Sequence, residues 1–295
     1  MVNFGGEWLV VDGNGTAQRT LGHPEGNVGE IDGEGALNCL IETSVAPCRF
    51  ARCAMDSSNT TLPARGLPQQ LKSASASRLA CYTAGRCSAA RALWRLGLPE
   101  EPPGYCPETQ LPLWPRGVLG SITHTRVATQ GGQSDGQIVA GALVWRPDET
   151  LSPEGYALTF GLDAEGIMAA DRARRLGTRL GVGAATGLPS EADEGTIATL
   201  VFSLKEAAFK ATSLSTGLAC GLGDLVIEPD SGDWGHLDES AARGESGVTL
   251  SGTIALRFSG TKASLNSWAD LRAWYWVYGD VVWTAAAMSR RSFSR

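Results

Sequence analysis

The feature that most constrains the fold is residues 201–211, Val-Phe-Ser-Leu-Lys-Glu-Ala-Ala-Phe-Lys-Ala, an apolar stretch with helical spacing that contains three charges. Lys205, Glu206 and Lys210 interrupt the hydrophobic run. Glu206 and Lys210 are four residues apart, so a helix places them on one face, one turn from each other. The sequence therefore predicts a helix that carries charged groups together with its apolar surface.

A second acidic segment lies upstream, in Gly-Leu-Asp-Ala-Glu at residues 161–165. Asp163 and Glu165 are spaced i and i+2, and side chains with this spacing point to the same side of a strand. Mg²⁺ prefers hard oxygen ligands and is commonly held by carboxylates together with water and substrate phosphate. Glu206 is the candidate for a third carboxylate. With Lys205 and Lys210, this set suits a divalent metal that holds a phosphate.

Each part of this prediction has a structural alternative. An isolated Asp-x-Glu pair is most often a solvated strand end. Ser203 and Glu206 match a capping box, in which Glu206 would only secure a helix start, although the apolar residues 199–202 indicate that the helix begins earlier. The glycine-rich residues 181–187 follow a helix and lack a Lys-Ser/Thr pair, so we interpret them as a plain loop.

Composition narrows the function classes. The chain has 295 residues and a net charge of −6, which argues against general nucleic-acid binding, so a polyanionic ligand needs a local basic cluster. Seven cysteines without a Cys-x-x-Cys pair favour reduced thiols over a disulfide framework or zinc site. Without a membrane-length apolar run or secretory signal, we expect a soluble, intracellular, cytoplasmic protein, with a plastid or other organelle left open.

The pattern of predicted elements is α+β. Helices are expected at residues 71–98, 168–180 and 196–214, and strands at residues 8–11, 120–125, 137–145, 156–165, 225–228, 248–258, 274–278 and 281–287. Residues 130–136 read as a turn or loop. A proline-containing linker at residues 146–153 places a boundary near residue 150, with halves at residues 1–150 and 151–295.

Four motifs occur in a fixed order: Trp-Pro-Arg-Gly at 114–117, Gly-Ser-Ile-Thr-His at 120–124, the acidic motif at 161–165 and the charged helix at 202–210. This series resembles the 4′-phosphopantetheinyl transferase superfamily, specifically its Sfp-like group and the branch of the enterobactin-synthase component D type. The resemblance covers residues 71–215 well, the C-terminal strands loosely and the first seventy residues hardly at all.

The resemblance implies two similar α+β half-domains in a pseudo-two-fold arrangement, with the active site in the cleft between them. It implies coenzyme A as co-substrate and Mg²⁺, with Mn²⁺ as an alternative, as cofactor. The acceptor would be a serine of an acyl or peptidyl carrier protein in fatty-acid, polyketide or non-ribosomal peptide biosynthesis, and the by-product 3′,5′-ADP. The N-terminal half would contact the coenzyme's 3′-phosphate, and the C-terminal half would carry the metal carboxylates and catalytic helix.

Site residues carry over position by position. The resemblance implies that Asp163, Glu165 and Glu206 hold the metal, and that Glu206, Lys210 and neighbouring Lys205 are catalytic. It assigns coenzyme contacts to Arg78, Arg86, Ser121, His124 and Lys210. Without the resemblance, the arginines of the first helical region favour a solvated basic face. Residues 106–112 lack the basic residue and glycine that family members often carry there, so one coenzyme contact is expected to be missing or replaced.

The carrier protein is expected to be acidic and to dock on a basic helix that carries Arg172, Arg174, Arg175 and Arg179. A solvated amphipathic helix is the equally weighted alternative. We expect a monomer without nucleic-acid or membrane partners. Two other functions stay open from the residues alone: a different Mg²⁺-dependent nucleotide or phosphodiester enzyme, and a catalytically inactive coenzyme A-binding homologue.

Overall fold

The computed structural model describes residues 2–4, 7–11, 17–20, 48–56, 68–127, 137–147, 158–190, 192–216, 221–229, 248–267 and 269–290. The three α-helices are α1 Ala76–Arg95, α2 Ala170–Leu180 and α3 Glu194–Thr216. The strands are β1 Val2–Phe4, β2 Glu7–Val11, β3 Ala17–Thr20, β4 Arg49–Asp56, β5 Gly104–Tyr105, β6 Pro112–Leu113, β7 Leu119–Val127, β8 Gln137–Trp145, β9 Leu158–Gly166, β10 Leu225–Pro229, β11 Val248–Phe258, β12 Ala269–Tyr278 and β13 Val281–Arg290.

These elements confirm the α+β prediction. Each predicted helix is present within a few residues of its expected bounds, and residues 181–187 form a loop with a short 3₁₀ turn. The loop predicted at residues 130–136 and most of the linker, with the domain boundary near residue 150, lie outside the described residues. Nowhere in the described ranges is a helix long and apolar enough to cross a membrane.

Two antiparallel sheets repeat one topology. The first has the order β4-β8-β7, and the second has the order β10-β11-β12-β13-β9. In each sheet an opening strand (β4 or β9) precedes a long helix (α1 or α3), and the last strand (β8 or β13) returns to pair with the opening strand. The order β4-β8-β7 therefore corresponds to β9-β13-β12. This repeat agrees with the two-half fold that the resemblance implies.

The two sheets share an aromatic core. Phe50 and Trp145 from the first sheet pack with Phe160, Trp274 and Trp283 from the second. The rings of Phe50 and Trp283 meet edge to face at 5.7 Å, and those of Trp145 and Phe160 meet at 5.2 Å. Buried aromatic pairs of this kind contribute beyond the area they bury. The two sheets are consequently held in a fixed relation, which also fixes the cleft between α1 and α3.

Strands β7 and β9 meet through side-chain hydroxyls. Ser121, Thr123 and Thr125 alternate along β7, and their hydroxyl oxygens accept hydrogen bonds from the backbone N–H groups of residues 162, 164 and 166 at 2.9–3.0 Å. Because side chains alternate along a strand, Ile122, His124 and Arg126 point to the opposite face of β7. The seam thus sets β7 and its exposed histidine beside the acidic strand β9.

Candidate active site between two long helices

A cleft of about 450 Å³ lies between α1 and α3, with β7 as its floor. Helix α1 contributes Arg78 and Arg86 to its wall, β7 contributes Ser121 and His124, and α3 contributes Lys210. The loop that joins β5 and β6 closes one side. Five residues predicted from the sequence to contact the coenzyme therefore line one cavity.

Helix α3 begins well before the charged motif. The Asp193 carboxylate accepts a hydrogen bond from the Thr196 N–H at 2.9 Å, so Asp193 caps the helix start. Ser203 and Glu206 lie in the middle of Glu194–Thr216. The capping-box interpretation of Glu206 is therefore wrong, because the first turn of the helix is elsewhere.

Asp163 is a buried carboxylate held by three donors. Its Oδ1 accepts from Lys210 Nζ at 2.7 Å and from Thr123 Oγ1 at 3.2 Å, and its Oδ2 accepts from Ser203 Oγ at 2.9 Å. Lys210 Nζ also donates to the Leu162 carbonyl at 2.9 Å. A buried charge needs such compensation, since burying an unpaired carboxylate is costly. Asp163 and Lys210 thus form an ordered ion pair at the cleft.

Sequence reasoning did not assign Thr123 and Ser203 to the site. Thr123 bridges the two halves, because its hydroxyl accepts from the Ala164 N–H and donates to Asp163. Ser203 also bonds to Thr284 at 2.8 Å, which extends the network to β13. The recurrence of hydroxyl residues at every second position of residues 121–125 is the signal that points to a shared strand face.

Gly161 allows α3 to lie directly on β9. A Cβ atom at this position would be 1.9 Å from the Ala207 carbonyl oxygen and 2.6 Å from the Ala211 nitrogen. These contacts are far shorter than any real Cβ contact, so only glycine fits here. The close approach brings Lys210 over the strand and within reach of Asp163.

Glu165 and Glu206 complete an acidic group around Asp163. Burial and the charge of Asp163 raise the pKa of Glu165 to about 7, and Lys210 opposes that rise. Burial followed by the Asp163 charge also raises the pKa of Glu206, again opposed by Lys210. The three carboxylates are therefore close enough to repel one another, as the i, i+2 spacing on β9 and the position on α3 predict.

These three carboxylates do not form a finished metal-ligand cluster. Among the residues that the structure describes, no group of three or more His, Cys, Asp or Glu side chains is arranged to hold a metal ion. Asp163 is instead turned toward its three donors, although Oδ2 keeps a second acceptor position. The donor set still fits Mg²⁺ chemically, because hard carboxylate oxygens that repel one another are stabilised by a cation.

His124 lies in an electropositive part of the cleft. The ring is exposed to the open cavity, yet the surrounding protein lowers its pKa by desolvation, and Lys210 and Arg78 lower it further. Arg78 is exposed on α1, where it lines the wall of the cleft. Lys210 and Arg78 thus place positive charge beside His124, and the nearby Asp163 carboxylate opposes their effect on its pKa.

Arg86 and Ser121 already make hydrogen bonds within the protein. Arg86 is buried, donates to the Pro103 carbonyl at 3.1 Å and lies 5.0 Å from the Tyr82 ring centroid. Ser121 is buried, and its hydroxyl accepts from the Leu162 N–H. Both line the cleft, but each also holds its wall together.

Lys205 lies away from the cleft, contrary to the expected position beside the phosphate. Its Nζ donates to the Leu180 carbonyl at 2.8 Å and to the Leu222 carbonyl at 2.9 Å. Burial lowers the pKa of this ammonium. Lys205 therefore secures the end of α2 to the turn at residues 222–224, and it does not meet Lys210 or Asp163.

Comparison with known proteins supports one superfamily. Residues 67–129 match the model of the 4′-phosphopantetheinyl transferase N-terminal domain. The match spans α1 and β5–β7, which carry Arg78, Arg86, Ser121 and His124. It supports a transferase of the phosphopantetheinyl transferase superfamily without distinguishing a branch. A search of curated proteins found no match to the chain.

Proposed function

We propose that this protein transfers the 4′-phosphopantetheine arm of coenzyme A to a serine of an acyl or peptidyl carrier protein in a Mg²⁺-dependent reaction. The observation that carries this proposal is one cleft lined by Arg78, His124 and Lys210, in which Lys210 is ion-paired with Asp163. The match of residues 67–129 supports the class of transferase. The Sfp-like branch of the enterobactin-synthase component D type remains part of the proposal.

Coenzyme A carries a pyrophosphate and a separate 3′-phosphate, so its binding requires cations at two places. Lys210 supplies one beside the carboxylates, where its ammonium is fixed by Asp163 and the Leu162 carbonyl. Arg78 supplies a second on α1, with Arg86 behind it, and His124 on β7 offers an imidazole N–H as a hydrogen-bond donor beside them. An ammonium held in place before the substrate arrives stabilises phosphate charge with little reorganisation.

Asp163, Glu165 and Glu206 would hold the Mg²⁺, which would neutralise charge that develops on the bridging and leaving oxygens. The protein's own contribution is to collect these carboxylates on one face of β9 and α3. Lys210 then contacts the phosphate under attack from the same side. No role in this step is assigned to Lys205.

The proposed reaction is a displacement at phosphorus. The carrier serine Oγ attacks the β-phosphorus of coenzyme A and forms a phosphodiester. The bond from that phosphorus to the bridging oxygen breaks, and 3′,5′-ADP leaves. Glu206 accepts the serine proton directly or through one water, since it is partly exposed and lies one helical turn from Lys210.

The carrier protein is proposed to dock on α2. Arg172, Arg174, Arg175 and Arg179 are exposed on this helix, which begins four residues after β9 ends. Arg174 is paired with Asp171 and Glu194, so part of its charge is compensated within the chain. We therefore assign the main attraction for an acidic partner to Arg172, Arg175 and Arg179.

Charge reversal tests this docking surface. Arg175→Glu should raise the apparent KM for an apo carrier protein about tenfold, because a like charge now faces an acidic partner, while coenzyme A affinity stays unchanged. Arg257→Glu, on the remote strand β11, is the matched control. Unchanged carrier kinetics in Arg175→Glu would favour the alternative of a solvated amphipathic helix.

A mass measurement tests the function itself. The protein is incubated with coenzyme A, Mg²⁺ and several apo carrier proteins, and each carrier is weighed. Transfer adds one phosphopantetheine arm, about 340 Da from its formula as a phosphate ester. Coenzyme A binding without any mass gain would indicate an inactive homologue. Absence of both would favour another nucleotide or phosphodiester enzyme.

A further inference from the structure

A second groove, of about 630 Å³, lies between α2 and the first turns of α3. Ala173 and Ala198, each 1% exposed, form its base, and the half-buried Ile197 lies beside them. Arg174 lines the groove from α2, and Glu194 lines it from α3. The groove therefore belongs to the surface that carries the basic residues of α2.

One exposed ion pair spans this groove. Arg174 Nη1 donates to Glu194 Oε2 at 3.1 Å, and the two side chains are 57% and 52% exposed. Because both residues line the groove and both remain in contact with solvent, their ion pair lies above the buried base. The pair thus covers the groove on the side from which a partner approaches.

Asp171 holds the Arg174 guanidinium in position. Its carboxylate accepts a hydrogen bond from Arg174 Nη2, three residues along the same helix. The bond to Glu194 uses the other terminal nitrogen, Nη1. An arginine presents its N–H donors in a fixed planar fork, so one nitrogen can change its partner while the other keeps its own. Arg174 can therefore pair with a carboxylate of another protein in place of Glu194 without losing Asp171.

The exchange of Glu194 for a partner's carboxylate costs little. An ion pair between exposed side chains contributes little to stability, because water screens it and two long side chains must be ordered. Glu194 is also not needed to cap α3, since the Asp193 carboxylate accepts from the Thr196 N–H at 2.9 Å. The start of α3 therefore does not depend on the Arg174–Glu194 pair.

The groove has a fixed position relative to the acidic group, because the start of α3 packs against the chain that follows β9. Thr199 Oγ1 accepts from the Met168 N–H at 2.8 Å, and a Cβ atom at Gly195 would lie 2.3 Å from the Met168 carbonyl oxygen. Glu206 is twelve residues after Glu194, about 18 Å along the helix axis. A folded domain of about 100 residues has a radius of gyration of about 13 Å, so one partner can reach both places.

The charges around the groove favour an acidic partner. Three further arginines are exposed on α2: Arg172, Arg175 and Arg179. An acidic protein surface is attracted to these arginines and brings its carboxylates to Arg174, since complementary charge steers association and fixes the register of two surfaces. The same attraction therefore supplies the group that competes with Glu194.

We propose that the carrier protein docks over this groove and that one of its carboxylates displaces Glu194 from Arg174. The Arg174–Glu194 pair is then a latch that opposes docking, and its exchange uncovers the apolar base of the groove for a side chain of the carrier. The inference rests on the proposed function and names the contact by which its protein partner is recognised. Arg174 and Glu194 take no part in phosphoryl transfer.

A double-mutant cycle on the apparent KM for the carrier tests the exchange, with the full chain and an apo acyl carrier protein that gains mass in the transfer assay. Glu194→Gln should lower this KM about threefold, the size of one exposed ion pair, because the latch is removed. In the Arg174→Gln background the same substitution should leave the KM unchanged. Glu228→Gln, which breaks the exposed pair with Arg257 at 3.5 Å, is the matched control and should also leave the KM unchanged.

Two results would overturn the latch alone. An equal fall in KM in both backgrounds would show general electrostatics without exchange, and an unchanged or higher KM in Glu194→Gln would show that Glu194 does not oppose docking. In either case transfer by the unchanged protein leaves the proposed function standing. If no apo carrier protein gains mass, the proposed function and this inference fail together. Circular dichroism of each variant verifies that its fold is retained.

Discussion

Asp163 shows how a single residue joins the two halves of the molecule. Its carboxylate accepts hydrogen bonds from Thr123 on β7 and from Ser203 and Lys210 on α3. Hydrogen bonds to a charged group contribute more than neutral ones, and a buried carboxylate without partners is costly. The same contacts that stabilise the junction therefore hold Asp163 and Lys210 in fixed positions.

Substitution of Glu206 should lower the transfer activity without lowering the stability of the fold. Glu206→Gln removes a proton acceptor and a proposed metal ligand, so transfer should fall by at least about 10²-fold, the lower range for one proton-transfer group. Because Glu206 lies mid-helix and caps nothing, the melting temperature should stay close to that of the unchanged protein. Single-turnover transfer and thermal melting measure the two effects.

Glu100→Gln is the matched control for Glu206→Gln, since Glu100 pairs with Arg91 on another surface. It should alter neither transfer nor melting temperature appreciably. Retained transfer in Glu206→Gln together with a lower melting temperature would contradict the assigned role. Such a result would make Glu206 a structural residue.

Lys205 and Lys210 should give opposite results on substitution by methionine. Lys205→Met leaves the Leu180 and Leu222 carbonyls without their donor, so we expect a loss of about 1–3 kcal/mol in unfolding free energy with kcat/KM nearly unchanged. Lys210→Met removes the phosphate contact and should lower kcat/KM by more than about tenfold. Chemical denaturation and transfer kinetics distinguish them; equal kinetic losses would contradict this division.

At the scale of elements, the contact of α3 with β9 is the critical one. Gly161→Ala places a methyl group against the Ala207 carbonyl and must push the helix away from the strand. Overpacking of this kind costs about 1–3 kcal/mol or more, and the displaced Lys210 should reduce transfer as well. Urea denaturation and transfer assays measure both losses.

Gly183→Ala is the control for Gly161→Ala, because a Cβ atom there meets nothing within 4 Å. We expect it to be nearly neutral in both assays. If Gly161→Ala were equally neutral, the close approach of α3 to β9 could not be what positions Lys210.

The sequence predicts the helices well because their apolar periodicity is local. It predicts the shared face of Asp163 and Glu165 for the same reason, since strand alternation fixes it. The predicted position of Lys205 beside the phosphate is wrong for a geometric reason. Lys205 and Lys210 are five residues apart, which is about 140° around a helix, so they point to nearly opposite sides.

The hydroxyl seam between β7 and β9 was not predictable in the same way. Ser121, Thr123 and Thr125 bond to backbone groups about forty positions later, and no local pattern identifies their partners. Arg86 both lines the cleft and donates to the Pro103 carbonyl, and this second contact was also not predictable, because it depends on a loop that returns to α1. Such long-range pairings appear only when both elements are placed.

At the scale of the whole molecule, basic side chains gather at one cleft of an acidic protein. The chain carries a net charge of −6, yet Arg78, His124 and Lys210 line the cavity. The acidic group and Lys210 lie on β9 and α3, while Arg78 lies on α1 and His124 on β7. A ligand with two separated anionic groups can therefore bridge both halves, and the shared aromatic core keeps the halves at a fixed distance.

The most direct test of this account is the amount of 3′,5′-ADP released per carrier protein modified, with coenzyme A and Mg²⁺ present. Transfer predicts one nucleotide for each carrier that gains the arm, and neither product when Mg²⁺ is removed by a chelator. Release of 3′,5′-ADP without carrier modification would contradict the account, because it would identify a hydrolase of coenzyme A instead of a transferase.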